Sequence, residues 1–169
     1  DALLAELSAE IEGAVGDIRR LVYDLRPPSL DELGLVGAIR AHAAHYDIGR
    51  SGERTADQSH GLVVAVEAPE DLPELSAAVE VAAYRIVLEA LANVARHAQA
   101  QTCQVCLRVT DALEVEVRDD GIGLQAARHT GVGLVSMRER AAELGGTCVI
   151  ESPPAGGVRV QARLPLPKE

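Results

Sequence analysis

The sequence contains no phenylalanine and no tryptophan, and only three tyrosines. Without a row of aromatic faces there is no platform on which successive single-stranded bases could stack. Basic residues are scarce too. Sixteen Lys and Arg stand against 26 Asp and Glu, a formal net charge of −10. That removes the basic footprint that DNA or RNA binding requires, so no nucleic-acid partner is expected. Long apolar runs are also missing. The longest aliphatic stretch is Leu62–Val66, far short of the roughly 18 residues a bilayer span needs, so no membrane contact is expected of these residues. The three cysteines, Cys103, Cys106 and Cys148, are an odd number. They make no disulfide framework and fit a reducing, cytoplasmic compartment. The chain opens inside a helical pattern without an initiator Met, and the expectation is a piece of something longer.

What is present is enough for one medium domain and an appendage. The 169 residues are 47% apolar, which excludes a disordered chain, and Ala, Val and Leu must fill the core. Three regions separate. Residues 1–47 read as helical, 48–61 as a Gly/Ser-rich polar linker, and 62–169 as a mixed domain. In the first region Leu4, Leu7, Ile11, Ala14, Ile18, Leu21 and Leu25 recur at alternating gaps of three and four, the pattern of a helix seated on a partner helix. Pro27 and Pro28 end it, and Ser29 with Glu32 predicts the capping box of a new helix through Leu33, Val36, Ala38 and Ile39. The functional reading is part of a dimerisation stem, and the plainer one is an amphipathic helix on its own domain.

In the mixed region, alternation predicts strands at Leu113–Arg118 and Val158–Leu164, each with one buried and one wet face. Leu62–Val66, Cys103–Val109 and Thr147–Glu151 are further strand candidates. Helices are predicted near Ser76–His97 and Val132–Leu144. The economical arrangement is α+β, a two-layer α/β sandwich whose mostly antiparallel sheet carries helices on one face.

The helix Ser76–His97 has two stripes. Ala83, Val87, Ala90, Leu91 and Val94 are apolar; Arg85, Glu89, Asn93 and Arg96 lie opposite. Glu89 and Asn93 are one turn apart, and a carboxylate and an amide so placed can hold a hard divalent cation if water and phosphate oxygens complete its shell. Arg96 and His97 follow where they could neutralise phosphate charge. Taken alone, such a stripe is more often a solvated helix face.

Two glycine loops change that balance. The strand Leu113–Arg118 runs into Asp119-Asp120-Gly121-Ile122-Gly123, and Gly131-Val132-Gly133-Leu134 opens a helix. The second pair suits an anion at a helix start. The first follows two acids that would repel a pyrophosphate, so Asp119 is better placed to accept a hydrogen bond from an amino group while the glycines let a flat ring lie close. Two decoys are set aside. Gly121-Ile122-Gly123-Leu124-Gln125-Ala126 matches a dinucleotide fingerprint, but that motif needs a parallel strand–helix–strand unit. Cys103-x-x-Cys106 lacks a second pair, and its members point to opposite faces of a strand.

Together these residues resemble the ATP-binding domain shared by gyrase, heat-shock chaperone, histidine kinase and mismatch-repair ATPases, the Bergerat or GHKL fold. Glu89-Ala90-Leu91-Ala92-Asn93-Val94-Ala95-Arg96-His97-Ala98 is similar to the family's N box. Asp119-x-Gly121-x-Gly123 is similar to its G1 box, and Gly131-x-Gly133-Leu134 to its G2 box. The stretches Leu25-Arg26-Pro27-Pro28-Ser29-Leu30-Asp31-Glu32-Leu33-Gly34-Leu35 and Gly133-Leu134-Val135-Ser136-Met137-Arg138-Glu139-Arg140-Ala141 resemble the histidine kinases that pair with helix-turn-helix response regulators.

That resemblance implies ATP and Mg²⁺ as cofactors. It implies Asn93 as metal ligand and Glu89 as the catalytic residue, a general base or a group orienting the phosphoacceptor. Arg96 and His97 would face the phosphates, Asp119 the adenine amine, and the amides of Gly131–Gly133 the phosphate tail, with Arg128 and His129 in a lid. It further implies a homodimer through the stem and a response-regulator receiver domain as partner. Two departures stand out. None of His42, His45, His60, His97 and His129 is followed by an acid, so these residues are expected to bind ATP without autophosphorylating. Gly157 is followed by Val158, where these kinases usually carry a threonine that closes the adenine site. Rival readings are a sigma-factor-regulating serine kinase and an ATP-sensing interaction module that transfers no phosphate.

Overall fold

The computed structural model describes residues 26–47, 61–124 and 131–166. The heptad pattern of residues 4–25 lies outside the described residues, as do nearly all of the linker and Arg128 and His129.

The described chain forms helix α1 (Pro28–Asp47), strand β1 (Val63–Glu67), helix α2 (Ala77–Asn93), a π-helical turn (Val94–Ala98) and strands β2 (Thr102–Val109) and β3 (Ala112–Asp119). Helix α3 (Val132–Glu143) and strands β4 (Thr147–Glu151) and β5 (Arg159–Pro165) complete it. The sheet order is β1-β2-β3-β5-β4. Only β1 and β2 run parallel; the other three pairings are antiparallel. Both neighbours of β3 are therefore antiparallel to it, which excludes the dinucleotide-binding unit that the Gly121–Ala126 spacing mimics.

Alternation decides which side chains face inward. Cys103, Val105 and Leu107 of β2, Leu113, Val115 and Val117 of β3, and Val160, Ala162 and Leu164 of β5 are buried. Between them Gln104, Glu114, Glu116 and Arg163 lie on the other face. Helix α2 covers the inner face with Val79, Ala83, Ile86, Val87, Ala90 and Leu91, and α3 adds Leu134, Met137 and Ala141. Each fully buried Leu or Ile contributes about 1.5–3 kcal/mol. The result is the two-layer α+β sandwich expected from the sequence.

Helix α1 differs from its prediction in two ways. It begins at Pro28, with the Leu30 N–H donating to the Pro27 carbonyl at 2.9 Å. Ser29 thus sits inside the first turn, and its hydroxyl reaches the Tyr84 hydroxyl (3.4 Å) instead of forming the capping box with Glu32. The helix is also broken at Gly34 (φ 66°, ψ 177°), a conformation essentially restricted to glycine. The break turns Leu33 outward, 52% exposed, while Leu35 and Ile39 are buried. Leu30, Leu35, Ala38 and Ile39 join the same core as α2 and β2. Helix α1 thereby packs on α2 and β1.

Candidate functional site

Helix α2 starts under a defined cap. Ser76 accepts the Val79 N–H, and Glu80 adds a carboxylate to the first turn, both favourable at the positive end of a helix. Its far end departs from the uninterrupted helix predicted to His97. Val94–Ala98 winds as a π-turn, and Gln99 stops it in the left-handed region (φ 52°). The Ala98 carbonyl then accepts the Ile122 N–H at 2.9 Å, which ties the end of this helix to the loop after β3.

That loop carries the one buried charged side chain among the described residues. Asp119 is 4% exposed. Its Oδ1 accepts the Gly121 N–H at 2.8 Å and its Oδ2 the Val158 N–H at 3.2 Å. Asp119 N–H also donates to the Val158 carbonyl at 3.1 Å. Burial pushes the Asp119 carboxyl above the ordinary aspartate range, and the two N–H donors pull it back. Its neighbour Asp120 goes the other way. It accepts from the Gln101 and Thr102 amides and the Thr102 hydroxyl, and those bonds, Thr102's backbone first, hold it below the ordinary range. Two consecutive aspartates thus have opposite tasks. Asp120 fastens β2 to β3, and Asp119 faces a cavity.

The cavity has a volume of about 540 Å³, the size of a small-molecule site. The helical wall gives it Glu89, Asn93, Arg96 and His97, and the start of α3 gives it Gly131, Gly133 and Leu134. The loop and sheet give it Asp119, Gly123 and Leu124 over a floor of Val117, Val158 and Val160. Nine of the ten residues singled out in the sequence therefore meet at one cavity. Gly121 stands apart. A Cβ there would overlap the Ala98 carbonyl, so this glycine lets the loop press on the π-turn. Gly133 is required by a different neighbour, since a Cβ there would overlap Glu89 Oε1. No side chain caps the first turn of α3, which leaves that helix start facing the cavity with its backbone.

Asn93 supplies a fit test for a metal and its phosphate ligands. Its Nδ2 is buried and without a hydrogen-bond partner among the described residues. Such an atom costs about 1–3 kcal/mol, which a ligand oxygen would relieve. Turned by 180° the amide presents its oxygen instead. No group of three or more His, Cys, Asp and Glu side chains that could hold a metal exists among the described residues. A cation here would therefore take Asn93, with Glu89 beside it, and rely on water and phosphate oxygens for the rest. Cys103 offers no alternative: it is buried in the sheet, its thiol pushed up to about 12, while Cys106 points to the other face.

Sequence reasoning singled out Val158 but missed the rest of the cavity floor and one anchor. Val117 and Val160 were legible as inward-facing residues, but nothing in the alternation tells a core position from a cavity floor. Ser152, whose Oγ accepts the Leu124 N–H at 2.7 Å, sits in a turn-rich stretch with no periodic signal.

The sandwich, the buried aspartate before a glycine loop and the second glycine pair at a helix start define a nucleotide-binding ATPase class. Residues 78–168 match the model of the Histidine kinase-, DNA gyrase B-, and HSP90-like ATPase family, and the chain belongs to that family. It is 36% identical over 152 residues to the sensor histidine kinase MctS of Rhizobium johnstonii, covering 86% of this chain and 31% of that protein. It is 31% identical to the oxygen sensor histidine kinase NreB of Staphylococcus carnosus, covering 96% of this chain and 46% of that protein. The chain thus spans between about a third and a half of the length of these curated relatives. Among solved structures, the histidine kinase domain of the blue-light activated kinase from Erythrobacter litoralis EL346 shares the fold. Its TM-score is 0.62 at 21% identity, over 82% of this chain and 69% of that one. No described helix is long and apolar enough to cross a membrane.

Proposed function

We propose that this chain is the catalytic ATP-binding part of a sensor histidine kinase. It binds Mg-ATP and presents the γ-phosphoryl to a histidine of the intact protein, for relay to an aspartate on a response-regulator receiver domain. The observation that carries the reading is Asp119. A carboxylate kept buried in a cavity floor, with each oxygen accepting one backbone N–H, has its remaining lone pairs to offer an amino group such as that of adenine. The valines beside it suit the faces of a flat ring.

In the proposed reaction a histidine ring nitrogen forms a bond to the γ-phosphorus, the bond to the bridging oxygen breaks, and ADP leaves. Such transfers rest on positioning and charge neutralisation more than on covalent chemistry by the protein. Arg96 and His97 are exposed at the cavity wall, where they meet the phosphates, and the Gly131–Gly133 backbone receives the tail. Glu89 orients the incoming histidine or takes its proton. Mg²⁺, when bound at Asn93, supplies further neutralisation of phosphate charge. The heptad residues 4–25 dimerise the intact protein, and the compartment is the cytoplasm.

Saturating Mg-ATP at about a hundred times Kd should stabilise the folded chain by about 2.7 kcal/mol, read as a rise in Tm. Asp119→Ala should remove the rise. An unchanged Tm for the unmutated chain at millimolar Mg-ATP would count against the assignment. A second reading, an ATP-sensing module without transfer, draws on the apolar Val158 at the cavity floor. Labelling of a longer chain that includes the phosphoacceptor histidine, with the label lost in acid, favours the kinase; absence of label favours the module.

A further inference from the structure

The loop Asp119–Leu124 reaches the cavity through Asp119, Gly123 and Leu124, so its path fixes where those groups stand. Beyond Asp120, which Gln101 and Thr102 hold, three cross-links from outside fix it. The Ile122 N–H donates to the Ala98 carbonyl (2.9 Å), and the Gly121 carbonyl accepts the Gly157 N–H (2.8 Å). Both are backbone to backbone and hold the first half of the loop. The second half, Gly123–Leu124, has its backbone held by one hydrogen bond among the described residues: the Leu124 N–H donates to Ser152 Oγ at 2.7 Å, while the Leu124 side chain packs on the core. Gly123, in the left-handed region at φ 79°, passes close by, and a Cβ there would stand 3.0 Å from the same Oγ. Ser152 itself is exposed and follows β4; it is absent from the cavity lining.

We propose that Ser152 is a positioning residue of the cavity. It sets Gly123 and Leu124 against the bound ligand through the Leu124 amide, and this rests on reading the cavity as a nucleotide site. The reasoning is one of degrees of freedom. A glycine in a left-handed conformation gives the loop its bend but little stiffness. An acceptor fixed to the end of a strand removes that freedom before the ligand arrives, so binding need not spend free energy on ordering the loop. The hydroxyl does this by accepting, which a methyl-bearing side chain of the same shape cannot do.

The test compares Ser152→Ala, Ser152→Val and Ser152→Thr in the 169-residue chain, with Mg-ATP titrated calorimetrically and Leu124 amide exchange followed by NMR. Threonine keeps the acceptor and valine has threonine's shape without it. Ser152→Ala and Ser152→Val are expected to weaken Mg-ATP about fivefold, the effect of one lost neutral hydrogen bond, and to speed Leu124 exchange. Ser152→Thr should stay within about twofold of the parent. The Tm of the ligand-free chain should move by no more than about 2 °C in all three, since the site is exposed. Parental affinity in Ser152→Ala, or equal behaviour of valine and threonine, overturns the proposal. A parent chain that binds no Mg-ATP strikes at the nucleotide reading instead. Leu124 exchange then still decides the anchor, and an unchanged rate in Ser152→Ala refutes it.

Discussion

The two walls of the cavity are built on different principles. The loop-and-sheet wall is cross-linked before any ligand arrives. Asp119 is held through both carboxylate oxygens, and the backbone of Gly121, Ile122 and Gly157 is bonded on either side. The helical wall presents side chains that are exposed or unsatisfied: Arg96 and His97 stand at the surface, and the Asn93 amide nitrogen is buried without a partner. One wall is complete without ligand and the other is completed by it. A rigid base with a fixed hydrogen-bond pattern suits the first, and a flexible, highly charged tail with its cation suits the second.

The sharpest way to break this comparison is at Asp119. Replacing it by alanine removes the acceptor and strands the N–H groups of Gly121 and Val158. Loss of a charged acceptor costs about 1.5–3 kcal/mol, so Mg-ATP affinity should fall at least tenfold, with the loss also present in the absence of metal. Titration with and without Mg²⁺ checks this. A variant that keeps its affinity would mean that the rigid wall does not read the base.

The next largest effect is expected where the walls of α2 and α3 touch. Gly133→Val should push Glu89 aside, because even a single Cβ there overlaps its carboxylate. Nucleotide binding should weaken severalfold and phosphotransfer in a chain carrying the acceptor histidine should fall further, since the displaced group is assigned to that step. Equal losses in binding and transfer would remove Glu89 from its role. Asn93→Ala should act on one wall alone, without the loss of transfer beyond binding expected of Gly133→Val. It should weaken binding about tenfold in Mg²⁺ and little in its absence, consistent with one ligand plus one relieved amide. A loss independent of metal would show that Asn93 serves the base after all.

The same division explains what could be read from the sequence. Every β-strand was legible within a residue or two, β3 and β5 because their alternation is a backbone property, and α2 and α3 were legible as helices except for the π-turn that ends α2. The three boxes were legible because Glu89, Asn93, Asp119 and the glycines are side-chain or conformational requirements with fixed local spacing. Less legible was whatever depends on a neighbour distant in sequence. Ser29 looked like a cap but its hydroxyl turns to Tyr84. Gly34 falls inside the predicted helix but takes a conformation that reorients Leu33 and Leu35. Gly121 looked like a ring contact but abuts Ala98. At Ser29 and Gly121 a tertiary partner, Tyr84 or Ala98, overrode the local use of the residue.

The subtlest feature of the loop-and-sheet wall is a proton. Burial raises the Asp119 carboxyl, while the Thr102 and Gln101 amides and the Thr102 hydroxyl hold the Asp120 carboxyl below the ordinary range. As pH falls from neutrality, Asp119 therefore takes up its proton before an ordinary aspartate would. A protonated carboxyl is a poorer acceptor for an amine, so Mg-ATP affinity should begin to fall while the unfolded-state aspartates are still ionised. Stability responds with the opposite sign. Between the ordinary aspartate value of 3.8 and the raised value of Asp119, the folded chain holds a proton that the unfolded chain lacks, so Asp119's contribution to stability declines as pH rises through that window. Asp120 contributes stability that is present above the ordinary value and is lost as pH falls through its lowered one. Titrations from about pH 7 to about pH 4.5 on the parent, Asp119→Asn and Asn93→Ala separate the causes. Phosphate protonation is shared by all three, and only the two chains that keep the carboxyl should show the extra loss. If Asp119→Asn follows the parent curve throughout, the buried carboxylate is not what the ligand's amino group meets.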